Sequence, residues 1–237
     1  MKSFNRIRCL NKVAQEIIEK YNLTDVTIAD IATDHGYLAE LLARNERVKK
    51  VYATDISQKC LDKTNELIKK CNLEKIETKL GDGLDPIDYT DISVMAGIGG
   101  YEIIKILSNQ NITLNHKRKC DVFIFQPTKN FVELRQYLFD INANIIKDFI
   151  IKSGGKFYPI IVADLRQNNM IEKTIFNLYF GKDNSLQNAD FVEYLLEQKN
   201  KLKFLDELDL TNQNDEIKIK FEIYQLVKEL LKKYKGD

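Results

Sequence analysis

Three aspartates follow or close successive apolar runs that read as strands. Asp30 closes the run 26–31, Asp55 follows 48–53, and Asp82 follows 76–80. Carboxylates recurring in this register suit a nucleoside ligand: one acid can accept both ribose hydroxyl protons, another the adenine amino hydrogens, and a third can meet a cationic amino-acid end. Around them lie the residues such a ligand would touch: Ala32 and Thr33 after the first run, Ile56 beside Asp55, and Gly81 and Gly83 flanking Asp82, where they let the loop turn tightly. Taken singly, each aspartate reads as a helix cap or a turn residue. Their recurrence at three strand ends carries the nucleoside reading. Phosphate binding would need a glycine-rich helix start without nearby anions, and neither GxGxxG nor GxxxxGK[ST] occurs, which places NAD and ATP behind. A fourth run, 92–95, leads into Ala96-Gly97-Ile98-Gly99-Gly100, a bare backbone able to admit a flat acceptor. The fifth, 122–125, leads into Gln126-Pro127-Thr128-Lys129-Asn130, which brings amide donors and acceptors beside that opening.

The elements that must hold these residues follow from periodicity. A helix is expected over 5–21, with Ile7, Leu10, Ala14, Ile17 and Ile18 near one face. Strands at 26–31, 48–53, 76–80, 92–95 and 122–125 alternate with helices at 36–43, 59–71, 101–107 and 131–140, the βαβ rhythm of a parallel, doubly wound α/β sheet. In such sheets ligands bind beyond the carboxyl ends of the strands, at the point where the strand order reverses. Two further runs, 145–151 and 157–164, joined through Ser153 and Gly154-Gly155, predict a closing hairpin. From residue 189 the pattern changes to long amphipathic helices, with Leu195, Leu202 and Leu205 on one and Tyr224, Val227, Leu231 and Tyr234 on the next. This spacing predicts a two-helix coiled-coil hairpin over 189–237, its loop at 209–215 and a cap at Asn214 or Asp215, appended to a domain of residues 1–188.

Composition sets the bounds. The 237 residues are 44% hydrophobic and 30% charged, a globular balance sufficient for one α/β domain with an appendage. No long uncharged apolar run is present and arginines interrupt the first ten residues, so neither a membrane span nor a signal peptide is expected, and the cytoplasm is the expected location. Cys9, Cys60, Cys71 and Cys120 are too dispersed for a metal knuckle, and His35 and His116 are the only histidines, so no metal is expected. With a net charge of +1, any RNA contact must be a local patch. Lys2, Arg6, Arg8, Lys12 and Lys20 against Glu16 and Glu19 form one basic cluster; His116, Lys117, Arg118, Lys119, Lys129 and Arg135 form another. Clusters of this kind are more often solvated faces. The segment 186–237 carries nine lysines against eleven acids and is no phosphate track by charge.

In order along the chain, Asp30-Ile31-Ala32-Thr33-Asp34-His35-Gly36-Tyr37-Leu38, Gly81-Asp82-Gly83-Leu84, Ala96-Gly97-Ile98-Gly99-Gly100 and Gln126-Pro127 together resemble the bacterial tRNA (adenine-22 N1)-methyltransferase family, TrmK. The resemblance covers about 5–164. It implies a Rossmann-like methyltransferase fold, S-adenosylmethionine as cofactor and S-adenosylhomocysteine as product, and methylation of N1 of adenine 22 in tRNA. It further implies cofactor contacts from Asp30, Ala32, Thr33, Asp55, Ile56, Gly81, Asp82, Gly83, Ala96 and Gly97. Substrate contacts are expected from Arg8, Ile98, Gly99, Gly100, Gln126, Pro127 and Asn130. Because N1 of neutral adenine already has a lone pair, positioning should dominate over proton removal. Asp34 is the candidate catalytic acid, electrostatic or accepting an N6 proton, with His35 and Tyr37 shaping the pocket. Tyr37 is a candidate stacking platform for a flipped base, and equally a core tyrosine. Ala32 replaces a family glycine, Ile98 a methionine and Asp55 a frequent glutamate, while Cys9 stands where an arginine is expected and Arg8 lies one residue earlier. The alternatives are a methyltransferase for another RNA or protein, and a non-catalytic nucleoside-binding RNA scaffold. A monomer is expected, with dimerisation through the C-terminal helices left open.

Overall fold

The computed structural model describes residues 4–109, 119–211 and 213–236. Strands β1 (Val26–Ile31), β2 (Val48–Asp55), β3 (Ile76–Leu80), β4 (Thr90–Ala96) and β5 (Cys120–Gln126) pair in parallel. β6 (Ala143–Ser153) and β7 (Lys156–Asn168) form the antiparallel hairpin that closes the sheet through β7 on β5. The order β3-β2-β1-β4-β5-β7-β6 reverses direction between β1 and β4, which is the switch point. Every expected strand forms, most of them longer than the apolar runs alone suggested, because ladder pairing continues into polar ends such as Asp55 and Gln126.

Alternation along the strands sorts side chains to two faces. On one, Ile28, Val94, Ile124 and Val162 meet Leu10, Val13, Ala14, Ile17 and Ile18 of α1 (Phe4–Lys20) and Leu38 and Leu42 of α2 (Tyr37–Ala43). α3 (Gln58–Cys71) flanks this face through Ile68. On the other, Ala29, Ile31, Met95, Phe123 and Phe125 meet Ile103, Ile106 and Leu107 of α4 (Gly100–Asn109) and Leu134 and Leu138 of α5 (Phe131–Asp140). Each such buried aliphatic or aromatic side chain contributes roughly 1.5–3 kcal/mol, so the sheet is a rigid floor for the loops that leave its edge.

After β7 the chain forms α6 (Ile175–Tyr179), which the periodicity did not predict, then α7 (Ala189–Leu202), a 3-10 turn (Lys203–Glu207) and α8 (Asp215–Lys235). Asn214 caps α8, its side-chain oxygen accepting from the Ile217 N–H at 3.0 Å. Leu205 reaches the core from the 3-10 turn, not from α7, and Tyr234 is exposed, not on the packed stripe. Phe191, Val192 and Leu195 pack with Ile223, Val227 and Leu231, and the same cluster takes in Ile150 of β6 and Phe180. Among the described residues no helix is long and apolar enough to cross a membrane, and no cluster of His, Cys, Asp and Glu is arranged to hold a metal ion.

Candidate active site

The loop after β1 is built on tight left-handed turns. Ala32 has φ 60° and Asp34 φ 48°, a conformation that a Cβ makes costly. The turn is fixed by the Thr33 N–H donating to the Thr54 carbonyl at 3.1 Å and by the Thr33 hydroxyl donating to Asp30 Oδ2 at 2.7 Å. Asp30 is buried, and burial, partly offset by the Thr33 hydrogen bond, pushes its pKa up to about 6. Asp34 points outward, with Oδ2 2.7 Å from His35 Nδ1 and Oδ1 3.3 Å from Lys63 Nζ. Slight burial raises its pKa, but the hydrogen bonds from Lys63 and His35 outweigh this and hold it below the usual carboxylate value, so it is ionised at neutral pH. The His35 and Tyr37 rings are parallel within 3°, centroids 5.7 Å apart. Tyr37 is 47% exposed, which removes the core-tyrosine alternative.

This loop forms one wall of a cleft along the carboxyl edge of the sheet. A cavity of about 790 Å³ is lined by Asp30, Ala32, Thr33, Asp34, His35, Tyr37, Ala96, Gly97 and Ile98, together with Arg6, Ile7, Leu10 and Leu38. A second, of about 220 Å³, is lined by Asp55, Ile56, Gly81, Asp82 and Gly83, with Glu102, Lys105 and Ile106 among the rest. Ala32 and Ile98 belong to both linings, so the two cavities are neighbours at the switch point. Within the smaller one, Asp55 Oδ1 accepts from the Ser57 N–H at 2.8 Å, Ile56 is 75% exposed, and Asp82 lies 3.7 Å from Lys105 Nζ. The three strand-end acids therefore divide between two neighbouring cavities at the carboxyl edge of the sheet, Asp30 in the larger and Asp55 and Asp82 in the smaller.

Residues 9–161 match the methyltransferase domain family. The chain belongs to that family. A Bacillus subtilis tRNA (adenine(22)-N(1))-methyltransferase is 29% identical over 158 residues, which are 65% of this chain and 65% of that protein. The chain's matches with its curated relatives span 61%, 62% and 65% of those proteins' lengths, less than two thirds in each case. Among solved structures, M. capricolum TrmK in complex with S-adenosyl-homocysteine has a TM-score of 0.72 at 25% identity, covering 97% of this chain and 96% of that one. The B. subtilis TrmK structure has a TM-score of 0.72 at 22% identity, covering 97% of both chains. The Rossmann-like fold is thus shared over nearly the whole length, the C-terminal helices included.

In the loops after β4 and β5 the residues expected to touch cofactor or substrate divide. Gly97 and Ile98 line the cleft, whereas Gly99, Gly100, Gln126 and Pro127 are buried between two loops. A Cβ on Gly100 would lie 2.0 Å from the Asn130 carbonyl oxygen, so this glycine serves backbone approach, not a flat ligand. The Gly100 N–H donates to the Lys129 carbonyl at 2.8 Å, and the Thr128 N–H to that of Ile98 at 2.9 Å. Asn130 starts α5 at φ 55°, 3.4 Å from Glu133 through its amide. These five residues hold the wall; Ile98 and Gly97 present it.

Arg8 lies on the exposed side of α1, outside the cleft lining, and Arg6 takes the inner position. The signal was present in the spacing: Arg6 extends the buried stripe of Leu10, Val13, Ala14 and Ile17, while Arg8 is turned away from it. Of the second basic cluster, His116, Lys117 and Arg118 fall outside the described residues. Lys119 donates to the carbonyls of Leu84 and Asp85 at 3.1 Å, and Lys129 is 4.0 Å from Glu102. Arg135 is fully buried and pairs with Asp148 at 2.7 and 2.8 Å, so it belongs to the interior and to no RNA-binding patch.

Proposed function

We propose that this chain transfers the methyl group of S-adenosylmethionine to N1 of adenine 22 of tRNA. The observation that carries the reading is the gathering of Asp30, Asp55 and Asp82 on two neighbouring cavities at the switch point, in a methyltransferase-family chain whose relatives include a tRNA (adenine(22)-N(1))-methyltransferase. The donor set fits the cofactor: carboxylates for ammonium, ribose and adenine amino groups, exposed Ile56 for the adenine face, and open backbone at Gly97. Bound there, S-adenosylmethionine supplies an electrophilic methyl on a sulfonium.

The chain's own work is placement and electrostatics. Asp55 and Ile56 hold the nucleoside, with Gly81 and Gly83 shaping the loop and Asp82 released from Lys105 to accept from the adenine amino group. Asp30, Ala32, Thr33 and Ala96 seat the amino-acid end. His35 and Tyr37 offer parallel rings on which a base taken out of its stack can rest. Asp34, kept ionised by Lys63 and His35, supplies the negative charge that offsets the cation formed on the acceptor ring. No proton need leave N1 before transfer, so no general base is assigned. Residues 1–188 constitute the catalytic domain and 189–237 the extension that engages tRNA by shape; the protein acts as a cytoplasmic monomer without a metal.

The test is methyl transfer from labelled S-adenosylmethionine to a tRNA transcript with adenine at position 22 and to one with guanine there, using wild type and Asp34→Ala. Label confined to the adenine transcript, recovered as N1-methyladenosine and reduced about a hundredfold or more in the variant, is the expected result. Cofactor binding with no label in either transcript would discard adenine 22 and redirect the search to other RNAs and proteins.

A further inference from the structure

The larger half of the cleft contains a guanidinium that the sequence pattern did not single out. Arg6 lines it from the first turn of α1, its guanidinium carbon 5.3 Å from the centre of the Tyr158 ring. Its Nε is buried and meets no hydrogen-bond acceptor among the described residues. Its Nη2 lies 3.9 Å from where a Cβ on Gly97 would stand and is the nearest atom to it, so the space above Gly97 opens on to the guanidinium. An arginine braced on an aromatic face and stripped of part of its hydration is costly until an anion reaches it. Its planar fork matches a planar two-oxygen anion, bound through two parallel N–H···O bonds.

Charge decides which ligand group belongs there. Methylation at N1 leaves the adenine ring cationic, so a guanidinium against the acceptor would oppose the transition state. An RNA phosphate entering the same cavity would meet Asp30 and the ionised Asp34. A zwitterion is different: an ammonium and a carboxylate on one carbon find an acid and a cation in a single cavity. We propose that Arg6 binds the α-carboxylate at the amino-acid end of S-adenosylmethionine, opposite an ammonium held by Asp30. The inference rests on the cofactor part of the proposed function and is independent of the tRNA part.

Calorimetric titration separates the possibilities, with S-adenosylhomocysteine as one ligand and its decarboxylated analogue, which keeps the thioether, nucleoside and ammonium, as the other. Wild type should prefer the carboxylate-bearing ligand by about 10- to 100-fold, the range for a charge-assisted pair shielded from water. Arg6→Met should abolish that preference while changing affinity for the decarboxylated analogue by less than about threefold, and Arg6→Lys should keep part of it. Thermal melts of both variants verify the fold. Equal weakening of both ligands in Arg6→Met, or an intact preference, would overturn the assignment while leaving the cofactor site in place. Failure of wild type to bind either ligand would overturn the assignment and the cofactor reading together.

Discussion

Ala32 and Asp30 show how much of this site depends on single backbone and protonation states. Ala32 holds φ 60° between the two cavities, where a Cβ costs about 1 kcal/mol relative to glycine. Ala32→Gly should therefore raise stability by up to about 1 kcal/mol in urea unfolding, without opening the cleft. Asp30 couples the stability of the fold to its proton. Its native pKa is about 6 against an ordinary 3.8, so the folded chain holds the proton more tightly than the unfolded one. Stability contributed by the protonated carboxyl is present below pH 4 and is lost as pH rises to 6, on the order of 2–3 kcal/mol in all. Asp30→Asn should accordingly melt higher than wild type at pH 7.5, with the difference vanishing near pH 4. In wild type, affinity for S-adenosylhomocysteine should decline as pH drops below about 6, because the proposed ammonium partner is then neutral; a flat profile in calorimetry would contradict that role.

At the scale of elements, two devices set the cleft's far wall and the sheet's outer edge. The loop after β4 and the loop after β5 are bound face to face, with Gly100 against the Asn130 carbonyl. A contact with backbone cannot be relieved by a rotamer change, so Gly100→Ala should destabilise by about 2–3 kcal/mol in denaturant unfolding and lower methyl transfer through Ile98. Unchanged unfolding would show that the two loops separate freely. On the other margin β6 is an edge strand, and its outward N–H groups do not await another chain. Those of Asp148, Ile150 and Lys152 donate to the side chains of Asp183 at 2.8 Å, Asn184 at 3.0 Å and Asp190 at 2.7 Å, a covered edge.

Across the whole molecule, Arg135 joins the C-terminal helices to the sheet. From α5 it pairs bidentately with Asp148 of β6 and donates to the carbonyls of Leu178, Tyr179 and Phe180 at 3.1–3.3 Å, satisfying the carboxyl end of α6. Removing one member of such a buried pair strands the other, so Arg135→Met should cost about 3–5 kcal/mol. Arg135→Met combined with Asp148→Leu should recover a large share, since an apolar pair leaves no lone charge; equal destabilisation by the single and double variants would show that the carbonyl contacts dominate. The cluster of Phe180, Phe191, Leu195, Val227 and Ile150 makes the same connection through apolar packing, so the helices and the sheet form one body.

The sequence alone determined the succession and type of the strands and the three acids at strand ends, because each rests on local alternation and on residues that close or follow an apolar run; the place where the strand order reverses, between β1 and β4, came from the pairing of the sheet. The sequence also marked the β6–β7 hairpin through Gly154-Gly155 and narrowed the cap of α8 to Asn214 or Asp215, of which Asn214 forms it. Tertiary structure decided what depends on contacts distant in sequence. Spacing places Arg6 on the stripe of Leu10, Ala14 and Ile17, but that this end of the stripe lines a cavity was decided by the packing of α1 on the sheet. Gly99, Gly100 and Gln126 became the packing behind the wall, since loops separated by about thirty residues press together. Arg135 looked like a surface cation in its own segment, yet lies in the interior because Asp148 of β6 and the end of α6 close over it. Local patterns encode which face of an element is apolar; which other element covers that face is settled by assembly of the sheet.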